Sequence, residues 1–417
     1  MPTTAPCGTW KSPITADLIV AESIGLAGLA VDGETIYWLE MRPSENGRYV
    51  LVRRSPDGST TDLTPPPFNV RTRVHEYGGG SFLAGGGRIW AVHFDDQRIY
   101  EIHPESAPVP LTADDGRRYA DFIHDPARDR LIAVCEDGRG GGEPSNTLVA
   151  VATADGSVTP LFSGTDFVSS PRLSPDGGRL AWLAWNHPNM PWDGTTLWVA
   201  DIRPDGTLGQ SVHVAGGVAE SIFQPEWAPD GTLYFASDRN GWWNLYRYRD
   251  GAVTPVIEMA AEFGVPQWGF GMSTYGVGSD ERLIVSYSRD GIRHLGRLAP
   301  AAGALDDLKT PFTDIELVRA CGDGAVFLGA AADRPRSVVR IDPETGKTEV
   351  LKASFSADID AGFISVPSSV SFPTDGGETA HGIFYPPANR DYSPPPGERP
   401  PLLVFTHGGT TSRRSSP

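Results

Sequence analysis

Residues 171–185, PRLSPDGGRLAWLAW, carry the pattern that decides the fold of this 417-residue chain. Residues 174–177 (SPDG) are a turn sequence, because proline presets φ, aspartate accepts from nearby backbone N–H groups and glycine tolerates positive φ. Residues 179–185 then alternate with the period of two that is typical of a strand buried on at least one face. A second strand is predicted at 196–200, and the whole unit spans about fifty residues.

Six further copies of this turn and strand unit occur at intervals of roughly 43 to 54 residues, which is the length of one propeller blade. The seven turns are centred at Asp32, Gly86, Asp129, Asp176, Asp230, Asp280 and Asp323. A partner strand follows each turn, at 49–52, 98–102, 147–151, 196–200, 244–248, 293–297 and 337–341. Seven such four-stranded units predict a seven-bladed β-propeller, with a pair of β-sandwiches or a β-solenoid as the alternative.

The composition restricts the class of partner. The 48 glycines and 37 prolines favour many short strands and argue against long helices. The formal net charge of −17 disfavours nucleic acid and anionic membrane surfaces, because no basic excess is present to neutralise phosphates. No segment approaches about 18 consecutive apolar residues and the N-terminus lacks a secretory signal pattern, so neither a membrane span nor export is predicted.

Three widely spaced cysteines, Cys7, Cys135 and Cys321, offer neither a disulfide framework nor metal-ligand spacing. Such an odd, scattered set is typical of a reducing compartment, so a cytoplasmic location is predicted. No cofactor and no metal site are predicted, and the oligomeric state is left open.

The first chemically rich loop is residues 71–80, RTRVHEYGGG. Arg71 and Arg73 supply cations, His75 an imidazole and Glu76 a carboxylate, so the loop is a candidate for substrate binding or interdomain contact. Alternatively, the three glycines begin a strand close to the channel while His75 and Glu76 satisfy buried backbone groups. Metal binding is poorly supported, because no second histidine lies four residues after His75.

A second loop, residues 185–194, is longer than the roughly two to five residues that a connection between two strands needs. Extra loop length on a rigid scaffold is often functional. The aromatic content of this loop, with Trp192 beside Asp193, predicts either contact with another domain or simple self-packing. A third loop, 239–244 (RNGWWN), is better explained by packing within its blade than as a ligand platform.

The repeat pattern ends after Leu351, where two strands, 366–372 and 379–385, are predicted to form a hairpin. A proline-rich connector then leads to residues 402–406 (LLVFT), an apolar run of the kind that becomes a central strand covered on both faces. The predicted domains are an N-terminal arm (1–26), the propeller (27–360) and the start of a second domain (361–417).

Residues 407–409, His-Gly-Gly, follow this apolar run directly, and together these features resemble the opening of an α/β-hydrolase domain. Behind a seven-bladed propeller, the arrangement resembles the prolyl oligopeptidase (S9) family of serine peptidases, most closely its acylaminoacyl-peptidase and dipeptidyl-aminopeptidase-like branch. The resemblance extends over nearly the whole chain, particularly in the segments RTRVHEYGGG, SSPRLSPDGGRLAWLAWNHPNMPWDG, IFQPEWAPDG, SDRNGWWNLY and PPLLVFTHGG.

The resemblance implies hydrolysis of short peptides by a Ser, Asp and His triad, with the propeller screening substrates by size. That chemistry requires a nucleophile on a Gly-x-Ser-x-Gly elbow, a base, and backbone N–H groups that stabilise the oxyanion. By analogy, Gly409, or alternatively Gly408, is the oxyanion-hole candidate. The other interpretation of these two glycines is a turn that begins a helix.

The chain departs from the family pattern at its catalytic end. No serine among the 417 residues lies in a Gly-x-Ser-x-Gly elbow, Thr410 stands where the family has proline, and eight residues follow Gly409. We therefore expect a truncated or frame-shifted family member that carries the screening propeller without the triad and is inactive alone. The alternative function is that of a non-catalytic propeller that binds peptides or a protein partner.

Overall fold

The computed structural model describes residues 1–20, 23–356 and 359–406. These residues form seven four-stranded sheets and two two-stranded sheets. In each four-stranded sheet the strands lie side by side in chain order, and neighbouring strands are antiparallel. The innermost strands of successive sheets contact one another, and that of the seventh sheet contacts that of the first. The seven-bladed β-propeller predicted from the repeats is therefore confirmed, and contacts between complete sheets close its ring.

Two short elements precede the blades, namely β1 (Thr3–Thr4) and α1 (Ala16–Val20). The strands of blades 1 to 4 are, in order, β2 (Gly25–Asp32), β3 (Thr35–Arg42), β4 (Arg48–Arg54), β5 (Thr60–Asp62); β6 (Phe82–Gly85), β7 (Arg88–Val92), β8 (Ile99–Glu101), β9 (Val109–Pro110); β10 (Arg117–Asp125), β11 (Arg130–Asp137), β12 (Ser145–Ala152), β13 (Val158–Phe162); and β14 (Phe167–Leu173), β15 (Arg179–Trp185), β16 (Thr196–Asp201), β17 (Val212–Gly216). The strands of blades 5 to 7 are β18 (Ile222–Trp227), β19 (Leu233–Ser237), β20 (Asn244–Arg249), β21 (Ala252–Pro255); β22 (Tyr275–Val277), β23 (Leu283–Arg289), β24 (Ile292–Ala299), β25 (Ala304–Leu308); and β26 (Asp314–Cys321), β27 (Gly324–Ala331), β28 (Arg334–Ile341), β29 (Thr348–Ala353). After the blades come β30 (Ser368–Pro373), β31 (Thr379–Phe384) and β32 (Tyr392–Ser393). Short 3-10 helices lie at Pro43–Glu45, Pro126–Arg128, Ala361–Phe363 and Asp375–Gly377.

The second strand of each blade supplies much of the core between neighbouring sheets. In β15 every residue after Arg179 is buried, because blades on both sides cover the two faces of the sheet. Trp182 is fully buried in this strand, as are Trp38 in β3 and Trp90 in β7. Removing such a side chain, as in Trp182→Ala, costs about 3 to 5 kcal/mol because it leaves a cavity that the packed blades do not refill.

Several innermost strands share a β-bulge at which one residue has positive φ. These residues are Gly28, Asp121, Ser170, Gln224 and Leu317. A bulge redirects side chains, and two of these residues use theirs to join neighbouring blades. Asp121 Oδ2 accepts from Ser170 N at 2.7 Å, and Gln224 Nε2 donates to Tyr275 O at 2.7 Å. The bulges therefore help to fasten the inner strands around the central channel.

The two faces of the ring carry different connections. Turns such as residues 174–178 join the first and second strands of the blades on one side, here called the turn face. Connections between second and third strands, and between successive blades, lie on the opposite side, here called the loop face. Because β2 begins and β29 ends on the loop face, the N-terminal arm and the residues after Ala353 lie on that side as well.

The N-terminal arm packs against the chain that follows the blades. β1 pairs in parallel with β32, and Cys7 N donates to Glu398 Oε1 at 2.7 Å. Trp10 stacks on Tyr392 with ring centroids 6.4 Å apart. Within the described residues, no helix has the length and apolar character needed to cross a bilayer.

The two predicted strands after the blades pair as an antiparallel hairpin, β30 with β31. Residues 402–406, which the sequence predicts as a strand, join no sheet in the described part of the chain. Their side chains from Leu402 to Phe405 are 72 to 78% exposed. An apolar strand needs neighbours that accept its backbone hydrogen bonds and cover its faces, and none is present among the described residues.

Candidate functional site

A cavity of about 3770 Å³ lies on the loop face and continues into the channel between the innermost strands. Its propeller wall includes Tyr77, Trp192, Trp242 and Trp268. Its other wall includes residues 369–372, 381–385 and 402–406, which follow the blades in sequence. The cavity is thus bounded by blade connections on one side and by the post-blade segment on the other.

Two connections on the loop face, residues 63–81 and 256–274, meet across the mouth of the channel. They lead into blades 2 and 6, which are not neighbours in the ring. Nevertheless, Phe270 N donates to Gly78 O at 2.8 Å, and Gly79 forms a parallel bridge with Phe270. This junction, here called the crossing, narrows the route between the channel and the loop face.

The crossing depends on glycine. Gly79 has a φ of +88°, and a Cβ added there would lie 2.3 Å from Phe270 O. At Gly78, with a φ of +66°, an added Cβ would lie 2.3 Å from Thr72 O. Only glycine combines this backbone conformation with such close approach, which explains the run of three glycines in the first chemically rich loop.

Four charged side chains lie in the channel beside the crossing. Arg172 Nη1 is 3.6 Å from Asp121 Oδ1, and Arg172 Nε is 3.3 Å from Glu226 Oε2. Burial lowers the pKa of Arg172, but the two carboxylates outweigh burial and hold that pKa above its ordinary value. Arg319 Nη2 donates instead to the carbonyl of Gly271 at 2.8 Å, and burial lowers the pKa of Arg319 to about 10. Both guanidinium groups are therefore charged at neutral pH.

His75 is packed rather than presented to the cavity. Its Nε2 lies 3.1 Å from Asn146 Oδ1, and its backbone N–H donates to Glu136 Oε2 at 2.8 Å. Its ring contacts Phe167 and Phe270 at centroid distances of 5.1 and 4.8 Å. Burial lowers the pKa of His75 to about 4, so the ring is neutral at physiological pH. The ring of His75 therefore packs among aromatic residues and contacts the side chain of Asn146, whereas the alternative expected a contact with a buried backbone group.

The other candidates in the first loop divide between the cavity and its supports. Arg71 and Arg73 both lie over the ring of Phe94, at 5.1 and 4.7 Å from its centroid. Arg71 lines the cavity, whereas Arg73 and the exposed Glu76 do not. The loop therefore contributes one of its two cations to the cavity wall.

The second loop contributes its tryptophan. Trp192 lines the cavity, whereas Asp193 supports the loop, because its carboxylate accepts from Met190 N at 2.9 Å. The oxyanion-hole candidates, Gly408 and Gly409, lie outside the described residues.

Sequence reasoning missed Trp268, an aromatic residue that lies beside Trp192. Trp268 is 4.3 Å from Trp192 and 5.2 Å from Tyr77, measured between ring centroids. Trp268 belongs to residues 264–272, GVPQWGFGM, within an unusually long connection between blades. That length, combined with glycine and aromatic residues, is the signal that could have identified it.

A serine and a histidine also face each other across the post-blade hairpin. Ser371 Oγ and His381 Nδ1 are 2.8 Å apart, and both residues line the cavity. In the described chain no carboxylate bonds to His381, so the pair lacks the member that orients the base in a Ser-His-Asp triad. Nor do residues 1–20, 23–356 and 359–406 contain a group of three or more His, Cys, Asp or Glu that could hold a metal ion.

Two groups of solved structures resemble the whole described chain. A puromycin-hydrolyzing peptidase of Mycobacterium tuberculosis matches with a TM-score of 0.91 and 34% identity, and a puromycin hydrolase matches with 0.93 and 36%. Each match covers 99% of this chain and 66% of the other, so this chain spans 66% of the length of those proteins. No family model and no curated protein sequence matches it.

A more distant likeness extends to prolyl oligopeptidase B from Galerina marginata, with a TM-score of 0.63 over 87% of this chain and 55% of the other. At 14% identity this match shows the fold alone. The closer matches add 34% to 36% sequence identity over 99% of this chain. The chain belongs to the prolyl oligopeptidase (S9) family of serine peptidases.

Proposed function

We propose that this chain is the substrate-screening propeller portion of a serine peptidase that hydrolyses short peptides and related aminoacyl compounds. The observation that carries this proposal is the 34% to 36% identity, over 99% of the chain, to proteins described as hydrolysing puromycin. Puromycin is an amino acid joined through an amide bond to a nucleoside. Its hydrolysis therefore breaks the same type of bond as peptide hydrolysis.

The geometry of the loop face supports a screening role. The cavity of about 3770 Å³ exceeds the roughly 300 to 1,000 Å³ of a typical small-molecule pocket, so it has room for a short extended peptide. Contacts between neighbouring inner strands close the ring of seven blades, so we expect it to exclude a folded protein. Because the crossing narrows the axial route, we expect substrates to enter between the propeller and the post-blade segment.

The hydrolytic step needs groups that this sequence does not supply. No Gly-x-Ser-x-Gly elbow occurs in the 417 residues, and the Ser371 and His381 pair has no carboxylate partner among the described residues. We therefore assign the nucleophile and the base to an α/β-hydrolase domain that the loop face covers, and Gly409, or alternatively Gly408, stays the oxyanion-hole candidate of this chain. The role of this chain is to admit the substrate and to form one wall of the active site.

A chimera tests this function. In the chimera, residues 1–406 replace the matched part of the Mycobacterium tuberculosis peptidase, and the remainder of that peptidase is retained. We expect the chimera to react with a fluorophosphonate probe, to hydrolyse puromycin and dipeptide amides, and to leave casein intact. The 417-residue chain alone, used as the control, should neither react with the probe nor hydrolyse either substrate.

Two outcomes would contradict the proposal. A probe-reactive chimera that cleaves casein as fast as a dipeptide amide would show that the propeller does not screen substrates. A probe-reactive chimera that hydrolyses no aminoacyl compound would show that the substrate class is wrong.

A further inference from the structure

Three aromatic side chains gather on the propeller wall of the cavity. They are the exposed Tyr77 and Trp268 and the half-buried Trp192, and they are here called the aromatic cluster. Trp268 lies between the other two, with ring centroids 5.2 Å from Tyr77 and 4.3 Å from Trp192. Tyr77 is 63% exposed and Trp268 is 39% exposed. Each ring belongs to a different connection of the loop face, so the cluster exists only when the propeller is assembled.

The aromatic cluster is not part of the hydrophobic core. None of its three members belongs to the apolar core clusters of the described residues. No arginine in the described chain lies over any of the three rings. Exposed aromatic surface in a concave wall is unfavourable in water and is typical of a ligand site. The exposed surfaces of Tyr77 and Trp268 are therefore available to a ligand.

Hydrogen bonds hold the cluster in place. Trp268 N donates to Pro266 O at 2.9 Å, and the adjacent Gln267 Nε2 donates to Ser169 Oγ at 2.9 Å, which fixes this connection to blade 4. The loop of Trp192 is fastened independently, since its neighbour Asp193 accepts from the backbone of the same loop. Rings that are already ordered lose little conformational entropy when a ligand binds.

We propose that the aromatic cluster binds an aromatic side chain of the aminoacyl or short peptide substrate and so selects aromatic over aliphatic substrates. This inference rests on the proposed function, because it concerns the substrate of the same cavity. The rings of the cluster meet in tilted and edge-to-face pairs, which leave room for a further flat ring. Ring-to-ring contacts bind such a ring more tightly than an aliphatic chain of similar volume. Puromycin, the substrate of the similar puromycin hydrolases, carries such a ring on its amino acid.

Binding to the 417-residue chain tests the inference directly. The probes are puromycin, O-methyl-L-tyrosine amide and, as the aliphatic comparison, L-leucine amide, measured by isothermal titration calorimetry. We expect Trp268→Ala to weaken binding of the two aromatic probes by about five- to tenfold and to leave leucine amide unchanged. Trp268→Phe should retain most of the aromatic preference, because it keeps a ring at the same position.

Trp198 is the matched control, because it is a partly buried tryptophan of blade 4 that does not line the cavity. Trp198→Phe should leave all three affinities unchanged. Equal binding of aromatic and aliphatic amides by the wild-type chain, or an unchanged aromatic preference in Trp268→Ala, would overturn the inference.

The chimera separates this inference from the function on which it rests. If the chimera hydrolyses puromycin and leucine amide, and Trp268→Ala lowers kcat/KM for the aromatic substrate alone, the inference is supported. If Trp268→Ala lowers stability without changing that selectivity, the cluster is an interdomain contact and the inference is wrong, although the proposed function stands. If a probe-reactive chimera hydrolyses neither compound, the proposed function itself is wrong.

Discussion

The crossing over the channel mouth depends on Gly79, and an alanine at this position tests that dependence. Gly79 has a φ of +88°, and an added Cβ would lie 2.3 Å from Phe270 O and 2.8 Å from Phe270 N. Alanine in the left-handed region costs about 1 to 2 kcal/mol. A backbone clash that forces the chain to move adds about 1 to 3 kcal/mol. We therefore expect Gly79→Ala to destabilise the crossing by about 2 to 5 kcal/mol.

Gly241 provides the matched control. It has the same φ of +88°, yet no atom lies within 4 Å of an added Cβ. Gly241→Ala should therefore cost only the conformational strain of about 1 to 2 kcal/mol. The difference between the two variants isolates the close contact with Phe270.

The assay is hydrogen exchange of the Phe270 amide, which donates to Gly78 O in the crossing. The expected loss of about 2 to 5 kcal/mol in the local stability of the crossing raises this exchange rate by about 30- to 4,000-fold. Gly241→Ala should leave the exchange rate at Phe270 unchanged. The same acceleration in both variants, or no acceleration in Gly79→Ala, would refute the contact on which this reasoning depends.

Three further predictions concern stability. Arg172→Met should destabilise the propeller by about 3 kcal/mol in urea unfolding, because it leaves two carboxylates in the channel without the cation they pair with. As a control, Arg139→Met removes a surface ion pair and should cause no measurable change in stability. Equal losses of stability in the two variants would contradict this prediction. Burial holds the pKa of His75 at about 4, below its ordinary 6.5, so its contribution to stability is full above pH 6.5 and is lost as the pH falls towards 4. His75→Gln should therefore flatten the fall of the urea midpoint between pH 7 and pH 4.5, and an equally steep fall in both proteins would count against the burial of this ring. Deleting residues 361–417 removes the exposed apolar side chains near residue 403. This deletion should reduce aggregation, measured by light scattering, and should leave the β-sheet signal in circular dichroism unchanged. Loss of the β-sheet signal would show that the blades need this segment to fold.

The blades were predictable because their sequence signals are local. Each turn and its two strands lie within one repeat, so alternation and turn residues report on neighbours only a few positions away. Residues 147–151 and 337–341, predicted as partner strands, fall within β12 and β28. Strict alternation fails in β15, since both faces of that strand are buried.

The crossing and the aromatic cluster were not predictable, because they join residues that are distant in sequence. A run of glycines indicates close approach at Gly79, but nothing near it identifies Phe270 as the partner. In the same way, Trp192 stood out within its own loop, whereas its neighbour Trp268 comes from another blade connection. At residues 402–406 the local signal predicts more than the structure shows. Their apolar composition predicts a strand, but a strand forms only where a neighbouring strand accepts its hydrogen bonds.

The central claim is that substrate binds on the loop face, against the aromatic cluster and the crossing. Hydrogen exchange of the 417-residue chain with and without puromycin tests it most directly, because exchange maps protection along the sequence. We predict protection of residues 75–80, 186–194 and 264–272, with no change in turns of the opposite face such as 174–178. Protection confined to the turn face, or protection nowhere at saturating puromycin, would contradict the claim.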